Sequence, residues 1–347
     1  MNNKKLVLAL IGVALLLALV YVVVQSQQAK KTEETAETPV PVTHFEIILV
    51  GKGSSPKWSP DGTKLAFLCA EGICVTDSSG KGEIKKIAPL KVKNYEWLSD
   101  SELVVCEWEY GRIKGRKTVT TRLKKASLDG KIEMIRETHP TFEDPAPDKP
   151  SKFIVLKDGS VGYYEDLHAL RGGPFFKVIR NGRLKSVEAI KQMIVAGIKG
   201  EKGVWLVSAD RDIKKRITDK EYRFVQLAPD GLKFIGKNSR GEIIVFDSTG
   251  NEMANLGTGL ILSEGRTGNW APDSKKIVYF DTKEDGHYVL ASEIYLINVD
   301  GSGKIQLTDT PDELEHDPVW SPDGTKIAYW TRDPKWENLE VFIMRLK

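Results

Sequence analysis

Cysteine and histidine are scarce in this chain of 347 residues: three Cys, at 69, 74 and 106, and five His, at 44, 139, 168, 287 and 316. None of them falls at H-x-H, HExxH or CxxC spacing, and no D-x-D-x-D-G loop occurs, so neither a metal site nor a calcium loop is expected. A G-x-S-x-G nucleophile elbow is missing too, which excludes a serine hydrolase of the α/β type. Charge of one sign is not in excess: 51 Lys and Arg face 48 Asp and Glu, and a net +3 gives no field that argues for nucleic acid. Helix signals are nearly absent after residue 43, where Lys185–Met193 alone reads as a turn or two. What remains is an all-β chain with no cofactor, no metal and no nucleophile, and the expectation is that it is not an enzyme.

The first thing present is Leu6–Val24, 19 uncharged residues in a row. As a helix this run crosses the ~30 Å hydrocarbon core of a bilayer. It ends without an A-x-A site or a lipidation Cys, so it reads as an uncleaved anchor rather than a cleaved signal peptide. Lys4 and Lys5 precede it, while Lys30 and Lys31 follow it beside Glu33, Glu34 and Glu37, a slight bias that keeps the short tail inside. The expected organisation is a cytoplasmic tail at 1–5, a single-pass anchor at 6–24, a disordered linker at 25–43 and a domain at 44–347 outside the cytoplasm.

Within that domain the chain repeats itself. WSPDGTK occurs at Trp58–Lys64 and again at Trp320–Lys326. Degenerate copies follow Trp97, Leu227 and Trp270, and a weaker one lies near Pro145. With Trp58 as phase, the clear copies are separated by 39, 130, 43 and 50 residues. Four short strands need roughly 40–45 residues, so the long interval holds three units, placing hidden repeats near 145 and 186. Seven units result, with six as the alternative. In each, a strand ends in an aromatic residue, S-P-D-G turns the chain, and further strands follow. Ser and Asp bond the backbone, Pro presets φ and Gly closes the turn. Asp61, Asp230, Asp273 and Asp323 are therefore turn residues, and Trp58, Trp97, Trp270 and Trp320 packing residues. Four-stranded antiparallel units at this period, set radially, make a β-propeller.

HDPVWSPDGTKIAYW at 316–330, preceded by INVDGSGKIQLT, resembles the repeat of the TolB-like β-propeller family. The same blade type is found in the propeller domains of prolyl oligopeptidases and dipeptidyl peptidases. The resemblance covers the propeller alone and is faint across 139–226. It implies a binding or scaffold role for protein or peptide partners.

The last unit has three strands of its own, around 319–321, 326–332 and 340–346. HFEIILV at His44–Val50 is an orphan strand before the first Trp. Pairing it with Val341–Leu346 supplies the fourth strand and joins the ends of the ring.

Four groups of residues are candidates for more than scaffold. In FLCAEGICVT, a two-residue turn at Glu71-Gly72 sets Cys69 opposite Cys74, as a cross-strand disulfide or as two half-buried thiols. Cys106 reads as an ordinary strand residue. Four residues before the phase position stand Ser54, Lys93, Arg223, Arg266 and His316, either a partial ring of cations at one channel mouth or solvated loop residues. The stretch 112–125 holds Arg112, Lys114, Arg116, Lys117, Arg122, Lys124 and Lys125 and no acid. It reads as a long hairpin tip facing anionic lipid or an acidic partner, or as a strand with one charged face.

The expected function is a membrane-anchored extracytoplasmic propeller that binds a protein or peptide without catalysis. A small-ligand or envelope-sensing propeller and a propeller enzyme acting on polysaccharide are the alternatives.

Overall fold

In the computed structural model the seven shared letters make the same turn twice. Lys64 N donates to Ser59 Oγ and Thr63 N to Asp61 Oδ1, each at 2.9 Å; Lys326 N donates to Ser321 Oγ at 2.9 Å and Thr325 N to Asp323 Oδ1 at 3.0 Å. Gly62 and Gly324 both sit at φ +71°, a conformation open to Gly at little cost.

The structure describes residues 45–346, apart from 71, 89–91, 114–115, 138–140, 143–148, 156–160, 167–174, 180–192, 199–200, 209–213, 262–268, 285–288, 311–312, 334 and 336; from 136 to 202 it describes backbone alone. These residues belong to one compact unit, Val42–Lys347. The expected tail, span and linker lie outside the described residues, among which no helix is long and apolar enough to cross a membrane.

The fold is all-β. In chain order the strands are β1 (Glu46–Lys52), β2 (Ser54–Trp58), β3 (Lys64–Cys69), β4 (Gly72–Asp77), β5 (Lys85–Ala88), β6 (Val92–Ser99), β7 (Glu102–Ile113), β8 (Arg116–Ser127), β9 (Ile132–Glu137) and β10 (Thr141–Phe142). There follow β11 (Lys149–Val155), β12 (Val161–Asp166), β13 (Phe175–Ile179), β14 (Met193–Ile198), β15 (Glu201–Ser208), β16 (Lys214–Thr218), β17 (Arg223–Leu227), β18 (Lys233–Lys237), β19 (Ile243–Asp247) and β20 (Glu252–Asn255). The last are β21 (Leu260–Ile261), β22 (Lys276–Glu284), β23 (Val289–Asn298), β24 (Ile305–Gln306), β25 (Leu314–Trp320), β26 (Lys326–Arg332) and β27 (Leu339–Arg345).

Successive strands pair antiparallel into β2–β5, β6–β10, β11–β13, β14–β16 and β17–β20. The remaining strands form an eight-stranded sheet of two antiparallel units, β21–β24 and β25–β27 with β1, joined by one parallel bridge between Ser292 and Leu314. The orphan strand is β1, and it pairs with β27 from Glu46↔Arg345 to Lys52↔Glu340. This serial, β-propeller-like arrangement buries the sheets whose side chains are described between their neighbours. Leu65 and Phe67 of β3 pack with Ala328, Val341 and Ile343, while Ala66 of the same strand packs with Tyr95, Trp97 and Leu103. Successive side chains on a strand face opposite ways, so a strand with a sheet on both sides reads as a continuous apolar run.

First strands of neighbouring sheets run parallel and in step. The Trp97 indole donates to Lys57 O at 3.0 Å and the Trp58 indole to Val319 O at 3.2 Å. The turns touch as well: Asp61 N donates to Asp100 Oδ1 at 2.8 Å, and Asp230 N to Ser274 Oγ at 3.0 Å. The first and last repeats are thus neighbours in space. Because strands alternate in direction, one edge of this array carries the S-P-D-G turns and the start of β1. The opposite edge carries the starts of the first strands, the β3–β4 hairpin and the far ends of β7 and β8.

One local expectation is corrected, and two fall outside the described residues. The turn after β3 falls one residue earlier than expected, with Cys69 paired to Gly72 and Cys74 to Phe67. Cys69 and Cys74 are therefore diagonal rather than opposite, yet they share a face because the slip conserves parity, and a disulfide joins them with Cα atoms 5.9 Å apart. Beyond Pro145, which lies outside the described residues, β11 begins at Lys149 and pairs antiparallel with β12. Position 186 and the expected turn from 185 to 192 lie outside the described residues, which resume with β14 at Met193.

Candidate functional site

First strands enter their sheets through an irregularity. The register slips between Ser54 and Lys57, Val92 and Asn94, Arg223 and Gln226, and His316 and Val319. Three residues before the repeat Trp, Ser55 and Asp317 take φ of +54° and +48°, left-handed values that cost a non-glycine residue of order 1 kcal/mol. This places a repeated kink where the chain passes from the strand-entry edge into the sheets.

The kink of β25 gathers several titratable groups: Glu293, Glu315, His316 and Asp317. Glu315 is fully buried. The Thr310 hydroxyl donates to its Oε1, and Thr310 N donates to Glu293 Oε1 at 2.9 Å. The Oε2 atoms of Glu293 and Glu315 are buried with no hydrogen-bond partner among the described residues. Burial, with the neighbouring Glu293 adding to it, pushes the Glu315 carboxyl up to about 8, so it holds its proton at neutral pH. Burial raises Glu293 in the same direction.

The next residue, His316, stacks on Trp330 with ring centroids 4.6 Å apart and meets the edge of Phe280 from the preceding unit. Arg332 Nε donates to its Nε2 at 3.1 Å. Burial and the adjacent guanidinium lower its pKa to about 4. His316 therefore brings no cation of its own at neutral pH; it holds Arg332. The Asp317 carboxylate accepts the Trp330 indole N–H at 3.0 Å, and its pKa is raised by burial and drawn back by that bond and by Lys57. Lys57 donates to Tyr95 O at 2.7 Å and pairs with Glu96 at 3.0 Å. The Tyr95 hydroxyl donates to Ser55 O at 2.6 Å, across the kink of β2.

Of the expected cationic ring, Lys93 and Arg223 stand at the starts of β6 and β17, with side chains outside the described part, and Arg266 lies outside the described residues altogether. The residues missed from sequence are Glu293, Glu315, Lys57, Glu96 and Arg332. The alternation Glu313, Glu315, Asp317 leading into and along β25 was a visible signal for the carboxyl pair, but its partner Glu293 comes from another strand.

The basic stretch is a hairpin, with β7 paired to β8 from Glu102↔Ser127 to Ile113↔Arg116; Lys114 lies outside the described residues. Its base is neutralised from neighbouring positions: Lys124 pairs with Glu107 at 2.6 Å, Arg122 with Glu109 at 2.8 Å, and Lys125 with Glu102 and Glu133, both at 3.3 Å. Toward the tip, Arg112 faces Lys117 in register. Cys106, buried in β7, has its thiol pushed up to about 12 by burial and is no nucleophile.

The repeat residues serve structure. Asp230 accepts from Leu232 N at 2.8 Å and Asp273 from Lys275 N at 2.9 Å, as Asp61 and Asp323 do in their turns. Trp58, Trp97 and Trp270 are buried, and Trp320 is half-buried against Ile294, Ile327 and Tyr329. Among the described residues no group of three or more His, Cys, Asp or Glu is arranged to hold a metal ion.

No family model matches the sequence. Dipeptidyl-peptidase 5 of Porphyromonas gingivalis is 38% identical over 64 residues, a match to 18% of this chain and 9% of that protein. Among solved structures, an oligogalacturonate lyase from Vibrio parahaemolyticus is similar at TM-score 0.40 and 15% identity, over 86% of this chain and 79% of its own. An oligogalacturonate lyase in complex with manganese is similar at TM-score 0.40 and 12% identity, over 85% and 78%. The tricorn protease is similar at TM-score 0.37 and 13% identity, over 80% and 42%. These proteins are, by name, a peptidase, lyases and a protease. The expectation that the chain is not an enzyme is corrected on that ground, although the likenesses are distant.

Proposed function

We propose that this chain is a TolB-like propeller of seven units, closed by β1 on β27, anchored by Leu6–Val24 and placed outside the cytoplasm, where it recognises a protein or peptide at its strand-entry edge. The observation that carries this reading is the asymmetry between the two edges. The turn edge repeats one bonded turn with little variation, while the strand-entry edge holds the kinks, the buried acid and imidazole, and the ends of the longest hairpin. The Cys69–Cys74 disulfide on that edge fits an oxidising compartment. Two measurements test the reading. A phosphatase that is active only outside the cytoplasm, fused after Lys347 of the full chain, is expected to be active; an inactive fusion overturns the placement. A photo-crosslinking residue at Glu337, on the strand-entry side, is expected to give a discrete adduct in cells where one at Asp129, on the turn side, gives none. Equal adducts from both overturn the assignment of the edge.

A catalytic reading stands second, and one observation favours it: Glu293 and Glu315 bring two carboxyl groups together at the kink of β25, each with an Oε2 atom that has no hydrogen-bond partner among the described residues. Oligogalacturonate and dipeptide-releasing peptide substrates are the ones the similar proteins bring to mind. Turnover of either that disappears in Glu315→Gln supports catalysis, and turnover unchanged in that variant removes Glu315 from it.

A further inference from the structure

Neighbouring units meet at junctions that satisfy their polar groups unequally. Where the last unit (β25–β27 with β1) meets the first (β2–β5), the Trp58 indole donates to Val319 O at 3.2 Å, Gly53 N donates to Leu339 O at 2.8 Å, and Glu46 pairs with Lys81 at 2.9 Å. Between the first unit and β6–β10, the Trp97 indole donates to Lys57 O at 3.0 Å and the Tyr95 hydroxyl to Ala66 O at 2.9 Å. The junction of β21–β24 with the last unit is different. There the Trp320 indole N–H and the Oε2 atoms of Glu293 and Glu315 are buried with no partner among the described residues. Ser292 bonds across it, Oγ donating to Glu315 O at 2.7 Å and N to Glu313 O at 3.5 Å, beside the parallel bridge to Leu314. The junction before it also buries atoms with no partner among the described residues, but these, the Trp270 indole and the Tyr279 hydroxyl, are neutral groups.

One residue ties the two acids together. Thr310, between β24 and β25, donates its hydroxyl to Glu315 Oε1 and its N–H to Glu293 Oε1 at 2.9 Å. The charged groups around the pair are mostly acidic. The same connection brings Asp309 and Glu313, and β22 brings Asp281, opposite Glu293 in register; Asp312 lies outside the described residues. Burial first, and then these carboxylates, raise the hydroxyls of Tyr295 on β23 and Tyr329 on β26. His316 and Asp317 turn instead to Trp330. The cations on these elements are placed elsewhere: Lys304 lies over the Tyr295 ring and 4.0 Å from Asp281, Arg332 donates to His316, and Lys283 is exposed near the end of β22. A buried carboxylate without a countercharge costs far more than a buried neutral carboxyl. If both acids ionise, two like charges share Thr310 as donor, and the cheapest relief is to admit water by parting the strands they join.

We propose that Glu293, Thr310 and Glu315 form a latch on this junction: while one carboxyl keeps its proton, Thr310 clamps β23 to the kink of β25, and when both acids ionise the kink parts from β23 at the strand-entry edge. The burial that pushes Glu315 up to about 8 sets the range in which the latch works, closed below and open above. The junction of the last unit with the first is the bonded one, and the weak one lies a unit earlier. The latch is a property of the fold and stands apart from both functional readings, since neither binding nor turnover reports it.

The test is hydrogen–deuterium exchange of the full chain in detergent at pH ~7 and ~9, read by mass spectrometry as protection relative to the intrinsic exchange rate at each pH. Peptides covering Ser292–Ile294 and Leu314–Asp317 are expected to lose protection roughly tenfold or more at the higher pH, while those of β1 and β27 and of β3 and β4 keep theirs. In Glu315→Gln, whose side chain stays neutral, that loss is expected to vanish. A thermal melt that coincides with the native one at neutral pH shows the variant folded; Glu293→Gln, which leaves one acid of the pair, serves if it does not. Protection at the junction that does not change with pH overturns the proposal. So does a loss spread evenly over all strands, a loss that begins between β1 and β27, or the same loss in the folded variant.

Discussion

The two copies of WSPDGTK are identical for seven residues and unlike at the positions five to three residues before them. Ahead of Trp58 the chain reads Gly53-Ser54-Ser55, and ahead of Trp320 it reads Glu315-His316-Asp317. Both triplets end in a left-handed residue, so the backbone task is the same. The space is not. A Cβ at Gly53 would lie 2.3 Å from Leu68 O, so this position is closed to any side chain without a shift of the backbone. At the corresponding place in the last repeat, Glu315 fits a carboxyl beneath Thr310 and beside Glu293. The difference teaches that the shared motif fixes the turn and the order of the sheets, while chemistry varies in the residues leading into it.

Four measurements break or sharpen this comparison. The largest effect is expected from removing the aromatic groups. Trp58→Ala should cost ~3–5 kcal/mol, and Trp320→Ala less, because Trp58 is 8% exposed and bonded while Trp320 is only half-buried. Equal losses in denaturant titrations would show that the two copies carry equal load. Next is pH. Glu315 has a folded pKa of about 8 against an ordinary 4.5, so the folded state binds the extra proton. The stability it contributes is present below about 4.5 and is lost as pH rises through 8. Glu315→Gln should flatten that slope and gain on the order of 2–4 kcal/mol over the native chain at high pH. His316 has the opposite sign, contributing above about 6.5 and losing stability as pH falls through 4. Melting curves of the native chain and Glu315→Gln across this range settle both, and a slope that survives Glu315→Gln assigns it elsewhere.

Reduction of Cys69–Cys74 comes third. It closes a loop with a sequence separation of 5, worth about 2 kcal/mol by loop entropy. Cys69→Ser with Cys74→Ser should lower the midpoint accordingly, and an unchanged midpoint would mean that packing around Phe67 and Trp330 does the same work. The smallest contrast is Trp→Phe. Trp58→Phe leaves Val319 O without its indole donor and should cost ~1–2 kcal/mol. The Trp320 indole N–H is buried with no partner among the described residues, so Trp320→Phe should cost less or nothing. A reversed order would show that the Trp58 bond contributes little.

Much of the fold was legible because its marks are local. A turn needs Ser, Pro, Asp and Gly in fixed order, and an apolar run after it declares a strand. Between 139 and 226 the repeat Trp and the S-P-D-G string are both lost, and the expected positions near 145 and 186 lie outside the described residues. The Cys69–Cys74 pair was visible by parity, which survives the one-residue slip that moved its turn. The basic stretch was visible as a charge run, but its division into a neutralised base and a basic tip was not, because Glu107, Glu109, Glu102 and Glu133 reach it across strands.

By itself, then, the sequence determined the repeat, its turn, the all-β class and the pairing of the ends, since each follows from backbone preferences and alternation within a few residues. The tertiary structure decided which charges matter. Whether Glu315 keeps its proton, His316 loses its own and Lys124 is neutralised depends on burial and on partners brought from other strands, and a charge is priced by its surroundings rather than by its neighbours in the chain.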